Sequence, residues 1–255
     1  MGTKLSHNLF SCRSFFKTSS LGTKLLSLCA ALLLSCQLTT EVVPNTVSGI
    51  KVDSVFKIWV SKDGLSGYNG SAVAYKIIPR QDMKYELYLL TACHTVSFED
   101  VNTYKIISTM DLGLSVLELG SPSYDFVVVS KNPDLDVSVI KAVVPRYFPV
   151  SELYTGSLRT GQRVAAVGYP INLGTVITDG YVCFAHLNTV AVSCNAFFGS
   201  SGGAVFDTSS GKIMGILVSI ATYRNSTGGF GVLSFISYTA PTSLIKPWLE
   251  KEGLT

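Results

Sequence analysis

From Val52 onward the chain alternates short apolar runs with turn residues, at the spacing of a β protein rather than a helical one. The runs are "VFKIWVS" (55–61), "GSAVAYKII" (70–78), "YELYLLTA" (85–92), "TYKIIST" (103–109), "FVVVS" (126–130) and "VSVIKAV" (137–143). They continue as "RVAAVGY" (163–169), "GYVCFAHL" (180–187), "TVAVSCNA" (189–196), "GAVFD" (203–207), "IMGILVSI" (213–220) and "FGVLSFI" (230–236). Turn residues separate them at Lys62–Gly64, Tyr68–Gly70, Gly120–Ser123, Thr208–Gly211 and Asn225–Gly229. So many short strands predict an all-β sandwich or barrel. No internal repeat of solenoid or propeller length appears. One helix is predicted, over about 242–252 in "PTSLIKPWLEKEG", and Pro247 predicts that it is short or starts late.

The 255 residues leave a body too long for one small barrel and sufficient for two, each with its own core. The expected division is barrel 1 over 52–144 and barrel 2 over 156–240, joined through the Pro-rich "PRYFPVSELYTG" (145–156). Residues 37–51 read as a polar linker.

The first 36 residues form a leader. Basic residues precede the apolar run "LLSLCAALLLSC" (25–36), which is shorter than the roughly 20 residues of a comfortable membrane span and suits an export signal. "LLSC" resembles a bacterial lipobox, which would make Cys36 a lipidation site and anchor the chain to a membrane. Ordinary secretion and an uncleaved anchor remain open beside it.

The leader also explains the charge. The whole chain carries +3, but Lys4, Arg13, Lys17 and Lys24 lie in residues 1–35 with no acid among them. The rest has 16 basic and 17 acidic residues, net −1, which does not support a nucleic-acid-binding domain. Cys93, Cys183 and Cys194 lie in the body, and no Cys/His spacing there indicates zinc or calls for another cofactor.

Three short stretches carry candidate chemistry. His94 sits in "LLTACHTV", where an apolar strand ends. Asp136 opens the strand "VSVI" in "NPDLDVSVIKA". Ser201 stands in "NAFFGSSGGAVFD", whose glycines imply backbone angles or close approaches that other residues tolerate badly. Singly, each has a bland reading: a strand-end histidine, a turn aspartate, a tight loop. In the order His, Asp, Ser, each at a strand end in a chain of two-barrel size, they resemble the chymotrypsin-fold serine proteases. The nearest type is the HtrA (DegP) protease domain.

The resemblance covers Val52 to the C-terminus. "TACHTV", "DLDVSVIK" and "GSSGGAVFD" are similar to the family's three catalytic motifs, with Asp136 preferred over Asp134. "GSAVAYK", "GQRVAAVGYPINLGTVITDGYV", "GKIMGILVSI" and "GFGVLSFI" are similar to its other strands. It implies two six-stranded antiparallel barrels and a serine endopeptidase acting on protein or peptide substrates through His94, Asp136 and Ser201. It implies an oxyanion hole from the N–H groups of Gly199 and Ser201, and a pocket near Asn195, Ser219 and Ile220. Asn195 stands where trypsin-like pockets carry an acid, so a small or medium apolar residue is expected before the cut. Ser219 is expected to support Asp136.

Departures from the family are visible. Phe197 and Phe198 are bulky beside the oxyanion loop and either set it in an inactive state or pack the barrel. The residues after the predicted helix are too few for a PDZ-like domain, so PDZ-gated control is not expected. A catalytically silent, peptide-binding relative is the alternative function. Separately, a hairpin turning at Asn188-Thr189 would set Cys183 opposite Cys194, near enough for a disulfide; another register would leave two free thiols. His186 is expected to be structural or on the surface.

Overall fold

The computed structural model describes residues 46–47, 49–62, 67–98, 103–108, 123–170, 173–186, 189–224, 226 and 228–255. The leader and Cys36 lie outside them, so lipidation stays an expectation of the sequence.

Two closed barrels account for the body. The first comprises β3 (Val55–Ser61), β4 (Gly67–Pro79), β5 (Tyr85–Ala92), β6 (Thr103–Ser108), β7 (Ser123–Asn132) and β8 (Val137–Val144), in the order β3-β4-β5-β8-β7-β6. The second comprises β9 (Arg163–Gly168), β10 (Val176–His186), β11 (Thr189–Val192), β12 (Ala204–Asp207), β13 (Ile213–Arg224) and β14 (Phe230–Pro241), in the order β10-β11-β14-β13-β12-β9. Both follow one rule: the first three strands of each barrel lie side by side in chain order, and the last three return in reverse. Closure removes the exposed sheet edges that would invite aggregation.

Every apolar run contributes a strand, although that over 189–196 leaves β11 at Val192. Several strands are longer than their runs: β4 begins at Gly67 and β13 continues to Arg224. The extensions are largely exposed, so no alternation of burial marks them.

Three apolar clusters hold the body. Barrel 1 is filled by large side chains, including Phe56, Leu87, Leu89, Ile106, Phe126, Ile140 and Phe148. Barrel 2 is filled by smaller ones: Val164, Ala166, Val182, Val190, Val192, Met214 and Leu217. A third cluster forms the seam, where Val55, Val73, Leu90 and Val139 meet Val167, Tyr169, Phe206 and Ile216. Burying each such large aliphatic or aromatic side chain contributes about 1.5–3 kcal/mol. The seam therefore fixes the barrels against each other and fixes any site built between them.

Two expectations, the linker and the disulfide, need correction. The polar linker is not wholly a linker: β1 (Thr46–Val47) pairs with β2 (Ile50–Lys51), and Ile50 is fully buried in the seam. Gly49 turns at φ +79, and its carbonyl lies so near Gly211 that a Cβ there would be 2.3 Å away.

The helix, α1 (Thr242–Lys251), is short and lies where the sequence places it, with Pro247 inside it. Proline deprives the carbonyl four residues earlier of its partner. That residue is Ser243, and both it and Pro247 are exposed, so water can serve the carbonyl. Ile245 and Leu249 pack into the seam from the opposite face.

The disulfide is not formed: Cys183 and Cys194 are free thiols. The hairpin pairs His186 with Thr189 and Phe184 with Ala191, and its register then shifts so that Val182 faces Val192. Cys183 is the extra residue of that β-bulge and is exposed. Cys194 is fully buried against Gly180, and burial pushes its thiol up to about 12.

Candidate active site

His94 and Asp136 come from the same end of barrel 1. β5 stops at Ala92 and the chain enters a 3₁₀ turn, Cys93–Val96. Thr95 Oγ1 donates to the Ala92 carbonyl at 2.6 Å and Ser97 Oγ to the Cys93 carbonyl at 2.7 Å, which tightens the turn. Asp136 ends the β7–β8 connection, where the Leu135 N–H donates to Asn132 Oδ1 at 3.1 Å. Its own φ is +52, a left-handed angle that Asp tolerates better than most residues.

That angle aims the carboxylate at the turn. The His94 N–H donates to Asp136 Oδ1 at 2.9 Å, and His94 Nδ1 lies 2.7 Å from Oδ2. The Cys93 N–H donates to the Asp136 carbonyl at 2.9 Å. A carboxylate can only accept, so Nδ1 carries a proton in this pair and, in the neutral ring, Nε2 is left as the base. Asp134 is exposed and has no such contact. Ser219, expected to support Asp136, makes no hydrogen bond to it among the described residues; the backbone of residues 93–94 does that work.

Ser201 comes from barrel 2, in the connection between β11 and β12. Gly199 adopts φ +94, which its lack of a Cβ allows without strain. At Gly202 (φ +84) a Cβ would lie 2.0 Å from the Ser71 carbonyl and 2.3 Å from Thr91 Oγ1. Only glycine lets the loop come this close to barrel 1. The Ser200 N–H donates to the Phe197 carbonyl at 2.9 Å and the Gly202 N–H to the Leu217 carbonyl at 2.7 Å. The N–H groups of Gly199 and Ser201 have no acceptor among the described residues.

His94 and Ser201 line two adjoining cavities of about 360 Å³ each, although no hydrogen bond joins the serine hydroxyl to the imidazole. One is walled by Ala196, Phe197, Phe198, Leu217, Val218, Ser219 and Ile220. The other is walled by Tyr68, Phe98, Phe198 and Gly199, and the rings of Tyr68 and Phe98 stack at 4.1 Å. A larger depression of about 580 Å³ lies on the flank of barrel 1 beside Tyr124, Lys141 and Val143 and has none of this chemistry.

The sequence-derived pocket is partly brought together. Ser219 and Ile220 line the first cavity; Asn195 is exposed and does not, Ala196 taking that place. Neither phenylalanine packs inside the barrel. Phe198 is 77% and Phe197 41% exposed, and both border the cavity. His186 is exposed at the tip of the β10–β11 hairpin, stacked on Phe184.

The reading from sequence missed Ser71, the most connected polar residue of the site. It also missed the Tyr68–Phe98 wall. A small polar residue within a buried strand has no local pattern to announce it. Among the described residues, no group of three or more His, Cys, Asp or Glu is placed to hold a metal ion.

Comparison with known proteins adds to this geometry. Residues 77–216 match the family described as the trypsin-like peptidase domain. The chain is 25% identical over 173 residues to a probable periplasmic serine endoprotease, DegP-like, from Bartonella henselae, covering 64% of this chain and 31% of that protein. It is 29% identical over 140 residues to the human peroxisomal leader peptide-processing protease, covering 52% and 22%. The chain thus spans a third or less of the curated relatives it matches. Among solved structures, the HtrA-type protease AlgW with tripeptide superposes with a TM-score of 0.62 at 20% identity, covering 80% of this chain and 61% of that one. At that identity the superposition speaks for the fold.

Proposed function

The chain belongs to the trypsin-like peptidase domain family, and on that premise we propose that it is a serine endopeptidase with His94, Asp136 and Ser201 as its catalytic residues. The observation that carries the proposal is the pairing of His94 with Asp136 beside Ser201, at a cavity bordered by two uncommitted N–H groups. A serine hydroxyl is a poor nucleophile at neutral pH unless a base takes its proton. His94 Nε2 takes that proton as Ser201 Oγ attacks the scissile carbonyl. Asp136 keeps the imidazole in the tautomer with the proton on Nδ1 and stabilises the imidazolium. The tetrahedral oxyanion accepts from the N–H groups of Gly199 and Ser201; one such donor is worth about 3–4 kcal/mol in the transition state. His94 then returns the proton to the leaving amine as the C–N bond breaks. Water repeats the sequence on the acyl-enzyme and releases the acid.

The open distance between Ser201 and His94 is compatible with this, since catalytic hydrogen bonds often tighten only with substrate bound. The apolar wall of the first cavity, without a charged side chain opposite His94, supports a small or medium apolar residue before the cut. The similarity to proteases described as periplasmic supports export to the cell envelope, with the leader as its signal.

The test is labelling of the purified full chain by a fluorophosphonate probe, beside Ser201→Ala and His94→Ala. Labelling lost in both variants is expected. A folded parent that takes no label would favour the catalytically silent, peptide-binding alternative.

A further inference from the structure

Ser71 lies on β4 of barrel 1, fully buried, yet its hydroxyl and its N–H are spent on barrel 2. Its Oγ lies 2.8 Å from the Gly199 carbonyl and 2.9 Å from the Tyr169 nitrogen. The amide of Tyr169 can only donate and the carbonyl of Gly199 can only accept, so the direction is fixed: Tyr169 N–H to Ser71 Oγ, and Ser71 O–H to Gly199. The Ser71 N–H donates to the Ser201 carbonyl at 2.8 Å, and its own carbonyl accepts from Thr91 Oγ1 at 2.8 Å. One residue of barrel 1 therefore holds both carbonyls that flank Ser200.

The consequence appears peptide by peptide. The Gly199–Ser200 peptide is held at both ends, its carbonyl by Ser71 and its N–H by the Phe197 carbonyl. The Ser201–Gly202 peptide is also held at both ends, by the Ser71 N–H and the Leu217 carbonyl. Between and before them stand the only two N–H groups of residues 199–203 that the described residues leave uncommitted, those of Gly199 and Ser201.

We infer that Ser71 is a positioning residue. Its hydroxyl sets the plane of the Gly199–Ser200 peptide, so that the N–H groups on either side stay free for a ligand oxygen. It touches no substrate and acts through the loop. Only the kinetic part of this inference rests on the peptidase reading.

The test uses the full chain labelled with ¹³C at glycine carbonyls and ¹⁵N at serine, so that the Gly199 carbonyl is read through the Ser200 nitrogen. In Ser71→Ala that carbonyl resonance moves upfield, and Ser71→Cys, which keeps a weak donor, gives an intermediate position. On an active ester or peptide substrate, kcat of Ser71→Ala falls about 10- to 100-fold while KM stays within about twofold. Ser54→Ala is the control. It removes an equally buried hydroxyl whose partners, Lys51 and Ser151, border neither cavity, and it leaves kcat unchanged.

A carbonyl resonance that stays in place in Ser71→Ala overturns the inference, whether or not the chain turns over substrate. So does a shifted resonance with kcat unchanged. A shifted resonance in a protein whose parent hydrolyses nothing upholds the tether and overturns the peptidase reading.

Discussion

The two barrels have the same strand connectivity and opposite contents. Barrel 1 is packed with aromatic rings, Phe56 against Phe148 at 5.4 Å and Tyr104 against Phe126 at 5.3 Å. Barrel 2 is packed with valine, alanine, methionine and leucine. The topology therefore does not depend on particular core residues; it needs apolar residues facing inward and turns in the right places. The chemistry differs in kind as well. His94 follows the third strand of barrel 1, and Ser201 lies in the connection after the third strand of barrel 2. These are equivalent places in the two barrels. In barrel 1 the connection opens with a 3₁₀ turn that presents side chains. In barrel 2 it is a loop with two left-handed glycines that presents backbone N–H groups and one hydroxyl, and it is tied to barrel 1 by Ser71. One barrel brings the His94–Asp136 pair on a short turn; the other brings Ser201 on a glycine-bearing loop that Ser71 ties to barrel 1.

Breaking either half should be equally severe. Ser201→Ala and His94→Ala are each expected to lower kcat at least about 10³-fold, and the double variant no further, because the groups act as one unit. Steady-state hydrolysis checks this; additive losses would mean that the barrels do not share one site. Asp136→Asn should cost about 10³-fold or more with the fold intact, since an amide can stabilise the wrong tautomer. Next is the joint itself. Gly202→Ala puts a methyl into the Ser71 carbonyl at a left-handed φ, and a loss of more than about 3 kcal/mol is expected in denaturant unfolding.

Barrel 2 carries a buried carboxylate that staples its own turn. Asp207 is buried, which by itself raises its carboxyl. Hydrogen bonds from Ser209, Ser210 and Gln162 outweigh that and leave it below the usual range. A depressed folded pKa means stability that is present above the unfolded value, near 4, and lost as pH falls through the folded value. Asp207→Asn should cost about 1–3 kcal/mol at neutral pH and flatten the acid side of the stability–pH curve. The smallest effect concerns the cysteines. Cys183→Ser should change stability by less than about 0.5 kcal/mol. In the folded protein Cys183 reacts with a thiol reagent well before Cys194; equal protection of both would bring back the disulfide.

How far the sequence could be read follows the same divide. Strands were legible where an apolar run is buried along most of its length, as in β3 and β5, whose bounds match their runs. The β10–β11 register was not. Residues 183–186 are all exposed, so no alternation remained to fix it, and a bulge at Cys183 broke the count. The short helix was legible as well, although Pro247 sits inside it, where its cost depends on whether the orphaned carbonyl reaches water. His94, Asp136 and Ser201 could be nominated because the body holds two histidines and the His–Asp–Ser order at strand ends is specific, and the fold does bring the three to one place. Ser71 was not, because its partner lies 128 residues away and its meaning exists only where the barrels meet.

The central claim is that the two halves meet at one oxyanion. The most direct measurement is a crystal structure of the chain after reaction with a fluorophosphonate. A bond from phosphorus to Ser201 Oγ is expected, with a phosphonyl oxygen about 3 Å from the nitrogens of both Gly199 and Ser201. An unmodified Ser201, or an adduct whose oxygen points to solvent while those N–H groups bond elsewhere, would contradict it.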